Sequence, residues 1–138
     1  MKLPNGWHQQ DEGSDESQFL ILVKDESNFK SNLIFLASDR QKLRAQGFSN
    51  TSQYAKAFYN HNTRKVNSKI VNGLDSMLVS NQYFYRSIFS FPNDGRTLQQ
   101  SFYMTEMGNY VLGIVATEDS NSSDPNIEKM IRTIVFKN

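Results

Sequence analysis

Residues 82–117 read QYFYRSIFSFPNDGRTLQQSFYMTEMGNYVLGIVAT. Three runs rich in aromatic and β-branched residues are parted by two turn signals, Pro92-Asn93-Asp94-Gly95 and Met107-Gly108-Asn109. Aromatic and branched side chains suit a pleated, half-buried surface. Asn, Asp and Gly accept the left-handed backbone that tight turns need. The stretch therefore predicts an antiparallel meander with strands over 82–91, 97–106 and 110–117. Alternation along the first strand puts Tyr83, Tyr85, Ser87, Phe89 and Phe91 on one face, and Phe84, Arg86, Ile88 and Ser90 on the other. With aromatics on both faces, most are expected in a core. Tyr83 and Tyr85 are the candidates for an exposed partner-binding surface, because exposed aromatic patches mark binding sites.

Upstream of the meander, Lys69-Ile70-Val71, Asn72-Gly73 and Leu74 to Ser80 predict strand, turn and strand. Before that a helix is predicted over 52–65, with Asn50, Thr51 or Ser52 as cap. Its apolar stripe is read as Tyr54, Ala57, Phe58 and His61. Residues 38–49 are polar and basic and read as a loop with one helical turn. The runs at 18–24 and 32–37 are apolar on both faces and predict central strands. Leu3-Pro4-Asn5-Gly6-Trp7 reads as a short strand followed by a turn, with Trp7 anchoring this segment on the core. The acidic residues 11–17 read as a solvated loop. Beyond the meander, 118–123 is polar, Asp124 caps a last helix with Pro125 at its first position, and Ile127, Met130 and Ile131 form its buried stripe. An apolar segment, 134–136, follows. The whole reads as one α+β domain over 1–138: an antiparallel β-sheet with helices packed on it, an α/β/α sandwich.

Composition narrows the function. The chain has 138 residues, enough for a core without covalent staples, and no cysteine, so disulfides, thiolate metal sites and cysteine nucleophiles are excluded. A net charge of +1 gives no strong attraction to nucleic acid or anionic lipid. No apolar run reaches the ~18 residues of a membrane span. No signal peptide is visible, and a removed leader or lipid anchor is compatible with the sequence. The two histidines, His8 and His61, lie far apart, and no nucleophile elbow, P-loop or dinucleotide fingerprint occurs. Asp11, Glu12, Asp15 and Glu16 lack the spacing of a calcium loop. Catalytic residues, metal and cofactors are accordingly expected to be none.

Two basic groups stand out: Arg40, Lys42 and Arg44, and Arg64, Lys65 and Lys69. The first leads into the predicted helix and the second ends it, so the two could meet on one side; the plainer reading of both is a solvated face. Arg40, Lys42 and Arg44 are the candidates for holding an acidic protein partner. The second group also suits a helix carboxy terminus, where cations are favoured.

Four segments resemble a known family. Pro4-Asn5-Gly6-Trp7 resembles the opening of PsbP-like and DcrB-like domains. Leu22 through Leu33 resembles their strand, polar loop and next strand. Gln99 to Tyr103 with Gly108 to Leu112 resembles their late hairpin, and Ile127 to Phe136 their closing helix. These domains share a fold with the yeast nuclear-import factor that binds the Ran GTPase. The basic stretch 39–47 is the poorest match. The resemblance implies a binding or assembly module with no shared catalytic motif. The expectation is a non-catalytic protein-binding module of the bacterial cell envelope, in the periplasm or on a lipoprotein. Its rivals are a cytoplasmic adaptor or chaperone holding an apolar helix of a secreted client, and a small-molecule binder or unrecognised enzyme with a pocket near Trp7, His61 or the tyrosines.

Overall fold

The computed structural model describes residues 3–10, 18–24, 31–65, 67–79, 81–120 and 126–134. The elements are β1 (Trp7–Gln10), β2 (Gln18–Lys24), β3 (Ser31–Asp39), α1 (Arg40–Ala45), α2 (Thr51–Thr63), β4 (Lys69–Val79), β5 (Gln82–Asn93), β6 (Arg96–Met107), β7 (Tyr110–Asp119) and α3 (Asn126–Ile134). Among the described residues, the strands join one antiparallel seven-stranded sheet in the order β1-β2-β3-β7-β6-β5-β4. The chain is thus α+β. The cap at Asp124 and the segment beyond residue 134 lie outside the described residues, as does the acidic loop at 11–17.

The meander forms as its turn chemistry dictates. Asn93 pairs with Arg96, so Asp94 and Gly95 make a two-residue hairpin, at φ 49° and 76°. Positive φ at both central positions is the type I′ geometry that matches strand twist. Met107 pairs with Tyr110 across Gly108-Asn109, with Gly108 at φ 60°. A positive φ at the first central residue is where glycine costs least.

Residues 69–79 form one bulged edge strand, β4, instead of strand, turn and strand. A type I′ turn at Asn72-Gly73 would need positive φ at both residues, and neither has it. The register against β5 shifts twice, between Ile70 and Asn72 and between Asn72 and Asp75. Asn72 spends its side-chain amide locally, donating to the Gly73 carbonyl at 2.9 Å and to Asp75 Oδ2 at 3.1 Å. Arg86 on β5 grips the same carboxylate through two nitrogens, at 3.2 and 2.9 Å. That grip, together with Asn72, holds Asp75 below the usual carboxylate range against the opposing effect of partial burial. The amino-terminal order is also reversed: the turn at Asn5-Gly6 precedes the strand β1. With Trp7 its one apolar residue, β1 carries little strand signal, and pairing with β2 makes it.

On β6, Ser101, Phe102, Tyr103, Met104 and Thr105 are all buried in succession. Successive side chains alternate faces, so the sheet is covered on both sides here. One core cluster joins Trp7, Leu22, Leu33, Phe35, Phe84, Tyr103, Leu112 and Ile114 to Ile127, Met130 and Ile131 of α3. The other joins Met104 and Val111 to Leu43 of α1 and Ala55 of α2, with Tyr54, Phe58, Leu74 and Tyr85 at its margin. The buried stripe of α2 is Thr51, Ala55 and Asn62, with Phe58 half-buried, and His61 is exposed. The predicted stripe is therefore rotated, because its two ends are polar residues that are buried with hydrogen-bond partners.

Candidate functional site

Arg40, Lys42 and Arg44 all lie on α1, a six-residue helix seated where β3 ends. Asp39 caps it by accepting from the Gln41 amide at 2.8 Å. The Arg40 amide donates to the Asn109 carbonyl at 2.9 Å, and its guanidinium to the Gly108 carbonyl at 3.2 Å. These bonds lock α1 onto the β6–β7 turn. Leu43 is buried, which turns Lys42 and Arg44 outward, and both are exposed. Neither makes an ion pair with a described carboxylate.

Glu106 is the hub of this end. The Thr51 hydroxyl donates to its carboxylate at 2.5 Å, and Arg40 lies 3.9 Å away. The Thr51 hydroxyl does most to hold Glu106 below the usual carboxylate range; partial burial opposes it, and the charges of Arg40 and Arg44 assist. Thr51 is itself 4% exposed at the start of α2. Next to Glu106, the Thr105 hydroxyl donates to the Tyr83 carbonyl at 2.7 Å and accepts from Gln82 Nε2 at 2.7 Å. Gln82 also donates to the Glu106 carbonyl at 2.8 Å. The first residues of β5 are thereby tied to the end of β6 that carries Glu106.

Tyr83 is 66% exposed and faces Leu78, itself 51% exposed, across the β4–β5 ladder. Tyr110 and Met107, paired at the β6–β7 turn, are also exposed. A groove of about 460 Å³ runs between α1 and the strand ends, lined by Asp39, Lys42, Tyr54 and Tyr110 among others. Tyr85 sits further in, half-buried against the α1–α2 cluster. The structure thus gathers the α1 cations, Tyr83 and three further exposed apolar side chains, Leu78, Met107 and Tyr110, at one end of the sheet.

The two basic groups do not meet. Lys69 pairs with Ser90 on β5, and Lys65 lines a recess with Gln100. Gln100 and Glu106 are separated by roughly 20 Å along β6, at the usual rise of a strand. The helix α2 spans that distance, so its two flanking groups sit at opposite ends. Sequence reading missed Thr51 and Glu106. Strand parity held the signal: Glu106 falls on the face of Phe102 and Met104, where a lone carboxylate needs a partner.

Among the described residues no helix is long and apolar enough to cross a membrane, and no three His, Asp or Glu side chains gather as a metal site. No protein-family model and no curated protein matches the chain. Solved structures do. PA94, a protein of unknown function from Pseudomonas aeruginosa, matches with a TM-score of 0.67 at 15% identity, over 93% of this chain and 88% of that one. The cyanobacterial PsbP, CyanoP, from Synechocystis sp. PCC 6803 matches at 0.56 and 14%, over 94% and 79%. LpqN of Mycobacterium tuberculosis, involved in cell envelope biogenesis, matches at 0.54 and 11%, over 94% and 73%. At these identities the likeness is one of fold, and the fold is PsbP-like.

Proposed function

We propose that this chain is a non-catalytic protein-binding or assembly module of the bacterial cell envelope. It docks its partner through the α1 end of the sheet. The observation that carries the reading is the convergence there of Lys42 and Arg44, both exposed, with the exposed side chains of Tyr83, Leu78 and Tyr110. Exposed cations that make no ion pair with a described carboxylate, beside exposed aromatics, fit an acidic protein segment with apolar anchors. The packing supports a three-layer α/β/α sandwich, with α1 and α2 on one face and α3 on the other. In that frame the sheet ends, rather than its faces, are free for a partner. The envelope assignment rests on the fold shared with LpqN.

Affinity capture from separately prepared envelope and cytosolic fractions tests this. The comparison is between the native chain and the double variant Lys42→Glu, Arg44→Glu. A stoichiometric partner in the envelope fraction, lost with the double variant, is expected. A partner retained by the variant contradicts the docking end, and one found only in cytosol contradicts the compartment.

A further inference from the structure

At the far end of α2, away from the α1 end, a recess of about 110 Å³ opens between the helix and the sheet. Phe89, Phe91 and Phe102 form its apolar lining, with Asn62, Lys65, Ser68 and Gln100 around them. The aromatic wall is held by ring contacts: Phe89 lies 6.0 Å from Phe102 and 5.5 Å from Tyr59, and Phe102 lies 4.9 Å from Phe58. Rings fixed in this way keep the recess formed before anything binds, which lowers the ordering cost of binding.

The polar groups are unusual in one respect. Asn62 is 3% exposed, and its amide nitrogen donates to the Phe58 carbonyl at 2.9 Å. The amide nitrogen of Gln100 donates to the Thr117 hydroxyl at 3.1 Å. Each amide nitrogen has committed one of its two N–H groups, and neither side-chain carbonyl oxygen, Asn62 Oδ1 or Gln100 Oε1, has a hydrogen-bond partner among the described residues; both are open to solvent. An unmatched acceptor at an apolar recess favours a ligand that brings a donor. Lys65 adds an exposed ammonium that makes no ion pair with a described carboxylate.

We propose that this recess is a binding site for a small aromatic carboxylate with a hydroxyl at its far end. The ring packs on Phe89, Phe91 and Phe102. The hydroxyl donates to Asn62 Oδ1 or Gln100 Oε1, and the carboxylate meets Lys65. The site is independent of the α1 end, so either can fail without the other.

The test is a titration of the isotope-labelled full chain with 3-(4-hydroxyphenyl)propionate, followed by amide resonances. Saturable shifts are expected at Phe89, Gln100, Phe102 and Lys65. Removing the hydroxyl, with 3-phenylpropionate as probe, is expected to weaken binding about fivefold, the scale of one neutral hydrogen bond. Lys65→Gln, an exposed change that leaves the fold intact, is expected to weaken the acid about threefold to fivefold and to leave its uncharged amide analogue unaffected. Shifts that do not saturate, shifts confined to the α1 end, or equal binding of 3-phenylpropionate overturn the proposal. So does a Lys65→Gln variant that binds the acid as well as the native chain.

Discussion

At the scale of single residues, Thr51 and Glu106 link the fold to the proposed docking end. Hydrogen bonds to a charged group contribute about 1.5–3 kcal/mol when sheltered. Glu106 is 44% exposed at its side chain, so solvent screens much of that. Thr51→Val, which keeps the shape and removes the hydroxyl, is expected to cost about 1 kcal/mol at neutral pH. The folded state holds Glu106 below its ordinary value of 4.5. A carboxylate lowered on folding adds stability above its unfolded pKa and loses it as pH falls through the folded one. The gap between Thr51→Val and the native chain should therefore be full at pH 7 and shrink below pH 4.5. Urea unfolding at neutral and acid pH measures this, and a gap that does not change with pH would show that Glu106 plays no part in it. Lys42→Ala and Tyr83→Ala, by contrast, should each change stability by less than about 0.5 kcal/mol, because both side chains are exposed.

At the scale of elements, the edge strand β4 shows how sequence signals compete. Asn72-Gly73 carries the strongest short-range hairpin signal there is, yet the strand runs through it. The long ladder with β5 and the bidentate grip of Arg86 on Asp75 outweigh the local preference. The resulting bulges also break the regular edge that would invite pairing with another chain. Asp75→Ala should loosen this edge, seen as faster hydrogen exchange at the β4 amides with β6 and β7 unchanged. Equal protection in both proteins would show that Asp75 does not pin it. In the meander, local and global preferences agree, and its strands and both turns were readable in advance. Gly95, at φ 76°, illustrates the agreement. Gly95→Ala should cost about 1–2 kcal/mol, the penalty of a left-handed residue with a Cβ. In α2 the misread stripe has a simple cause, since a period count of apolar residues cannot see a buried Thr51 or Asn62.

At the scale of the molecule, Trp7 and α3 share one core cluster although they come from opposite ends of the sequence. The burial of Trp7 and of Ile127, Met130 and Ile131 was legible as sequence pattern, whereas their meeting in one cluster depends on sheet order, which no local signal encodes. Ile131 is fully buried there, so Ile131→Ala should cost about 2–5 kcal/mol. Fluorescence of Trp7, the one tryptophan, should report this loss in the same transition as far-ultraviolet dichroism. Two separate transitions would mean that the amino-terminal strand and the sheet unfold independently. The α1 end was only half legible. Arg40, Lys42, Arg44 and Tyr83 stand out in the sequence, but their gathering at one end depends on the same sheet order, and Glu106 and Tyr110 join them only through it.

The most direct test of that docking end places a photoreactive benzophenone side chain at Tyr83 in the native cell, with a second at Thr97, at the other end of β6, as control. A discrete covalent adduct at position 83, absent at 97 and lost when Lys42→Glu and Arg44→Glu are added, is the predicted result. Adducts at both positions alike, or an adduct at 83 that survives the charge reversal, would contradict it.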